Sequence, residues 1–209
     1  MLSFLFPPKC ILCGKLLSRE ETDLCHHCRT HTEEFIKQKR NIPFVAHCTA
    51  IWYYKDTVRQ SIQKYKFRNA RSYADAYARL LAIKLLDEKH DIITWVPIST
   101  ARRFKRGYDQ SQLLAKALTK ELNIPAVGTL KKVRNTKPQS TLTEAAQRRA
   151  NILGVYKVKN KDAIAGKRIL LLDDVVTTGA TASECAKTLL TAGAAEVQLA
   201  AIASTSYEK

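Results

Sequence analysis

RILLLDDVVTTGATASECAKTLLTAGA, residues 168–194, is the stretch on which the reading of this chain turns. Ile169 to Leu172 form a short uninterrupted apolar run, the pattern of a strand buried on both faces. Asp173 and Asp174 end that run, a Thr/Gly turn follows, and residues 181–190 read as a helix stopped by Gly193. In open α/β sheets ligands collect beyond the carboxyl ends of strands, where this turn falls. A helix start offers unpaired N–H groups and the positive end of a dipole, a ready phosphate site. Gly179 lets the backbone approach an anion, and the hydroxyls of Thr177, Thr178 and Thr181 add donors. Two carboxylates would repel a phosphate placed beside them. They suit ribose hydroxyls, a Mg2+ carried by a pyrophosphate, or both. A sugar phosphate therefore fits this loop better than a bare nucleotide. The competing reading is plain helix capping with Thr181 as N-cap. The string is not an ATP-binding P-loop.

Working outward, residues 48–54 (CTAIWYY), 92–97 and 197–203 read as further strands. Residues 73–86 and 111–122 carry apolar side chains at helical spacing. Strands alternating with helices give an α/β fold, a mostly parallel sheet flanked by helices. Residues 131–151 lack apolar periodicity in their first half and read as a mobile loop, with a helix expected over 143–151. Two units are expected: residues 1–42 as a small module with linker, and 43–209 as the α/β domain.

The first unit is marked by Cys10, Cys13, Cys25 and Cys28, two C-x-x-C pairs. Each pair can aim two sulfurs at one point, and two pairs complete a tetrahedron around structural Zn2+. Gly14 suits the tight turn behind the first pair. So short a segment buries little apolar surface by itself, and metal ligation supplies folding energy. His26, His27 and His31 stand nearby, but the paired spacing favours the four sulfurs. Cys48 and Cys185 read as small buried side chains, His47 and His90 as incidental, and no Ser-His-Asp or Cys-His constellation emerges. No apolar run reaches the length of a membrane span, and the start lacks the features of a secretory signal. A cytoplasmic location is expected.

The chain carries 35 Lys and Arg against 19 Asp and Glu, a net charge of +16, which points to polyanionic partners. The cations concentrate in residues 55–71, 102–106 and 131–137, continued by Arg148 and Arg149. Arg102, Arg103 and Arg106, with Lys137 and Arg148, can clamp a pyrophosphate or track a nucleic-acid backbone. Tyr65 and Phe67 alternate with Lys64, Lys66 and Arg68, a pattern that either stacks single-stranded bases or turns its aromatics into the core.

LLLDDVVTTGAT, residues 170–181, resembles the phosphoribosyl-pyrophosphate (PRPP) signature of type I phosphoribosyltransferases. VPISTARRFKRGYDQSQLLAKAL and TKPQSTLTEAAQRRANILGVY resemble two further blocks of the ComF family of late-competence proteins. The second block is matched by Pro138, Gln139, Leu142, Arg148, Asn151 and Gly154. With the N-terminal cysteine pairs, the resemblance covers nearly the whole chain. Two departures are mild: Tyr108-Asp109 stands where Phe-Asn is usual, and Val155-Tyr156 where Ala-Phe is usual. Asp109 adds a negative charge beside the basic block.

The resemblance implies a type I phosphoribosyltransferase-like domain. Asp173 and Asp174 would hold ribose hydroxyls as the catalytic acids. Thr177, Thr178, Gly179, Ala180 and Thr181 would hold the 5′-phosphate, and Val96, Pro97, Ile98 and Ser99 the pyrophosphate side. It also implies Mg2+ with PRPP, a role in DNA uptake during natural transformation, and single-stranded DNA and the competence helicase ComFA as partners. Whether the domain transfers a phosphoribosyl group to an acceptor, serves as a PRPP-sensing binding module, or salvages a free base stays open at this stage.

Overall fold

The computed structural model describes residues 7–36, 41–134 and 152–205. Among them, a parallel sheet of four strands has the order β1-β6-β5-β2: β1 (Cys48–Tyr53), β6 (Glu196–Ser204), β5 (Arg168–Val176) and β2 (Ile92–Trp95). A two-stranded antiparallel ribbon, β3 (Leu130–Lys132) with β4 (Tyr156–Val158), lies apart from it. The helices are α1 (His26–His31), α2 (Asp56–Phe67), α3 (Tyr73–Lys84), α4 (Thr100–Arg106), α5 (Gln110–Leu122) and α6 (Ala180–Thr191).

The period-2 alternation of a strand sorts β5 between two cores. Leu170 and Leu172 join α3 and α5 on one face, with Ile62, Tyr65, Tyr77, Leu81, Leu114 and Leu118. Ile169 and Leu171 join α6 and the ribbon on the other, with Ile152, Val155, Cys185 and Leu189. An apolar run without alternation is what such a doubly covered strand requires. Cys48 and Cys185 are buried, one in β1 and one in α6.

The cysteine-rich segment joins the first of these cores. Ile11, Leu12 and Leu24 pack with α2 and α3, and the Ser61 hydroxyl donates to the Ile11 carbonyl. Arg79 holds Asp23 through two hydrogen bonds of 2.9 and 2.6 Å. Phe35 N–H donates to the Ile51 carbonyl at 3.1 Å, so the segment also borders β1.

Several elements differ from the sequence reading. Residues 55–71 contain α2, whose Val58, Ile62 and Tyr65 are buried at helical spacing among the charges. In α4 no residue is buried, so no apolar stripe announces the helix. Its ends do: the Ser99 hydroxyl accepts from Arg102 N–H, and Gly107 closes the helix at φ +77°. Residues 131 and 132, expected in a loop, belong to β3. The expected loop and helix over 135–151 lie outside the described residues. His47 and His90 meet over Glu88, at 3.1 and 3.4 Å from the same carboxylate oxygen, at the amino ends of the strands. No described helix is long and apolar enough to cross a membrane.

Leu170 is fully buried in the central strand. Leu170→Ala is expected to lower unfolding free energy by about 2–5 kcal/mol in a denaturant titration, through lost transfer energy and the cavity left behind.

Candidate functional site

β5 does not stop at the acids. Beyond Leu172, the last residue paired to β2, it continues along β6 through Asp173↔Ala201 to Val176↔Ser204. β2 ends at Trp95, so its exit loop from Val96 leaves the sheet just where β5 bares its acids. A cleft of about 770 Å³ opens there. Val96, Pro97 and Ile98 line it, as do Asp173 and Asp174 and every residue from Val175 to Ala182.

The strand pleat sends the two acids to opposite faces. Asp174 follows Leu170 and Leu172 toward α2, where it pairs with Lys66 Nζ at 2.8 Å. Both side chains are largely buried, at 15% and 18% exposure. Asp173 follows Leu171 toward α6 and the ribbon, and its Oδ1 accepts the Asp174 N–H at 2.8 Å. Burial, and then the Asp174 carboxylate, push the Asp173 carboxyl up to about 8. Lys132 of β3 lines the same cleft, with its ammonium 5.7 Å from the centre of the Tyr156 ring. Burial, and then the Arg102 guanidinium, push Lys132 down to about 8.

The Thr/Gly turn ends in Gly179 at φ +78°, the N-cap of α6. A Cβ there would sit 2.9 to 3.1 Å from the Ile42 side chain, so close packing and the left-handed backbone together demand glycine. Thr181 lies inside the helix, one residue past its start at Ala180. The capping alternative fails for that residue. Within the turn, the Thr178 hydroxyl accepts from Ala180 N–H at 3.4 Å. A twelve-residue helix thus points its amino end into the cleft beside the Thr/Gly backbone.

Tyr108, Asp109 and Gln110 tie this site together. Asp109 is buried, accepts Ile98 N–H at 3.2 Å, and caps α5 by accepting Gln112 N–H at 3.1 Å. Its charge therefore serves the loop after β2 rather than opposing the basic block. Tyr108 O–H donates to the Tyr65 carbonyl, Gln110 Nε2 donates to the Lys66 carbonyl at 3.4 Å, and Tyr65 O–H donates to the Gln110 carbonyl at 2.7 Å. The carboxyl end of α2, and with it Lys66, is held by these residues.

Other anticipated residues divide. Arg102 and Arg106 line the cleft; Arg103 does not. Ser99 is spent on capping α4 and is absent from the lining. Lys137 and Arg148 lie outside the described residues. Tyr65 is wholly buried, so it cannot stack a base, whereas Phe67 is 65% exposed at the rim. Lys66, Lys132 and Tyr156 were not anticipated as cleft residues. Lys66 and Lys132 fall in the basic stretches 55–71 and 131–137, and Tyr156 stands where Phe is usual in the family, but nothing local singles them out.

At the N-terminus, the ligand atoms of Cys10, Cys13, Cys25 and Cys28 lie within 4.8 Å of one another, the one such group among the described residues. Gly14 turns the chain at φ +79° with its N–H on the Cys10 carbonyl at 2.9 Å. His27 and His31 instead stack on each other, 4.4 Å between ring centres. Four converging thiols and no open position are the donor set of structural zinc.

Two family models match separate stretches of the chain. The phosphoribosyl transferase domain family matches residues 109–208, and the double zinc ribbon domain family matches residues 1–40. The chain is 29% identical to Competence protein F of Haemophilus influenzae over 232 residues, 95% of this chain and 97% of that one. It is 27% identical to Competence protein ComFC of Bacillus subtilis over 194 residues, 89% and 73% of the two chains. Among solved structures, adenine phosphoribosyltransferase from Thermoanaerobacter pseudethanolicus superposes on 79% of this chain and 94% of its own, with 18% identity and a TM-score of 0.44.

Cys25→Ser is expected to reduce bound zinc, measured by metal analysis, and to lower the melting temperature, because three remaining thiolates leave the tetrahedron open. Asp109→Ala is expected to cost about 0.5–2 kcal/mol from the lost cap alone, read by chemical denaturation.

Proposed function

Because the chain belongs to the ComF family of competence proteins, we propose that it acts in DNA uptake during natural transformation, holding PRPP with Mg2+ in the β5 cleft and single-stranded DNA on the basic rim. The observation that carries the PRPP reading is the convergence of both acids, the Thr/Gly turn at a helix start and several cations on one cleft. In this reading the main chain of residues 177–181 takes the 5′-phosphate. Asp174 and Asp173 take the ribose hydroxyls and the metal side, and Arg102, Arg106, Lys105 and Lys132 face the pyrophosphate. Mg2+ would supply charge neutralisation for a departing pyrophosphate. An acceptor would attack the ribose C1 as pyrophosphate leaves, and the guanidinium groups would stabilise the charge that develops. An arriving cation would favour the ionised form of Asp173, and an arriving anion the protonated form of Lys132. The helicase ComFA is the partner implied by the family resemblance, on the cytoplasmic side of the membrane.

One observation favours a second reading, a PRPP-sensing module. The Asp174 carboxylate pairs with Lys66 of α2 inside the cleft. In this reading PRPP shares or replaces that lysine, and its binding acts on the end of α2 whether or not chemistry follows.

Incubating the zinc-loaded protein with PRPP, Mg2+ and candidate bases or oligonucleotides, while following pyrophosphate, separates the readings. Release that vanishes in Asp174→Asn supports a transferase; binding without release supports the sensor. Calorimetry is expected to show Asp174→Asn binding PRPP with Mg2+ roughly ten- to hundredfold more weakly, the worth of a hydrogen bond to a charged group. Wild-type protein that takes up no PRPP with Mg2+ would overturn both.

A further inference from the structure

The sequence TARRFKR packs four cations and one aromatic into the seven residues of α4. None of its residues is buried, so folding makes no demand for a large apolar ring at position 104, and Phe104 is 92% exposed. A lone exposed apolar side chain is ordinary. A bare aromatic set among four cations is a different object, because it combines a stacking face with charges that neutralise phosphates.

Helical geometry divides those residues. Arg102, Lys105 and Arg106, three and four positions apart, share the face that lines the cleft. Phe104, two positions from Arg102, projects from the opposite side, and neither it nor the exposed Arg103 lines the cleft. At the rim, the Arg106 guanidinium lies 4.8 Å from the centre of the Phe67 ring, which lines the cleft and remains 65% exposed. Two exposed aromatic rings thus flank one basic helix, one at the cleft and one on its outer side. Across a helix with its side chains that is about 10–12 Å, a distance that a few nucleotides span.

We propose that α4 is a track for single-stranded DNA, with Phe104 stacking a base on the outer side, Arg103 neutralising the backbone, and Phe67 stacking a base at the mouth of the cleft. The strand is then delivered to the proposed PRPP pocket by the same helix whose inner face closes it. This assignment rests on the single-strand reading above and specifies where that strand lies. A duplex cannot use the track, since its bases are already stacked.

The test is anisotropy with a short oligothymidylate at several salt concentrations, using the full zinc-loaded chain. Phe104→Ala and Phe67→Ala are each expected to weaken binding roughly five- to hundredfold, the range for one base–aromatic stack, without changing the slope of log affinity against log salt. Arg103→Gln is expected to lower that slope by about one. Wild-type affinity in both phenylalanine variants, or equal binding of duplex and single strand by the parent protein, would overturn the track while leaving the single-strand reading intact. A parent protein that binds no single strand at all would overturn that reading and this proposal with it.

Discussion

The pleat of β5 governs both the core and the cleft. A strand cannot turn neighbouring side chains to the same face, so Leu170 and Leu171 feed different cores, and Asp174 and Asp173 inherit the same division four and two positions later. One acid meets α2 and the other meets the ribbon. Each then acquires its own surroundings: an ion pair for Asp174, and a half-buried apolar setting with a raised proton affinity for Asp173. An acidic pair that looks uniform in sequence becomes two chemically distinct groups because of a period of two.

The loop after β2 matters as much as the acids, and its position is enforced from elsewhere. Asp109 reaches back to the Ile98 amide while capping α5, and Tyr108 and Gln110 seize the main chain of α2. Three consecutive side chains thereby set the distance between the loop and the lysine that faces Asp174. Burial raises the Asp109 carboxyl above its usual range, and the two amide donors offset part of that rise.

Much of this was legible beforehand. The β5 run, its Thr/Gly turn and the helix beyond could be read because burial on both faces, a glycine and a helix length leave marks within a few residues. The cysteine pairs were equally plain. Lys66 and Lys132 were not, because pairing with Asp174 or facing the cleft from β3 is decided by tertiary packing. The helix α2 was obscured by charges, its apolar contacts reduced to Val58, Ile62 and Tyr65. Helix α4 has no buried face to betray it and is written only in its caps. In sequence Gly179 suits anion approach; the structure adds Ile42 as a second reason for glycine.

The packing of the cysteine segment has a practical side. Ile11 accepts from Ser61, Ser61 bonds Tyr77 at 2.6 Å, and Tyr77 lies edge-on to Tyr65, whose hydroxyl reaches Gln110. A shortened chain beginning after residue 40 would remove Ile11, Leu12 and Leu24 from the core they share with α2 and α3, and the carbonyl that Ser61 bonds. Such a fragment would be a poor stand-in for the whole protein, and whatever removes the metal would be felt at the distant cleft through the same helix.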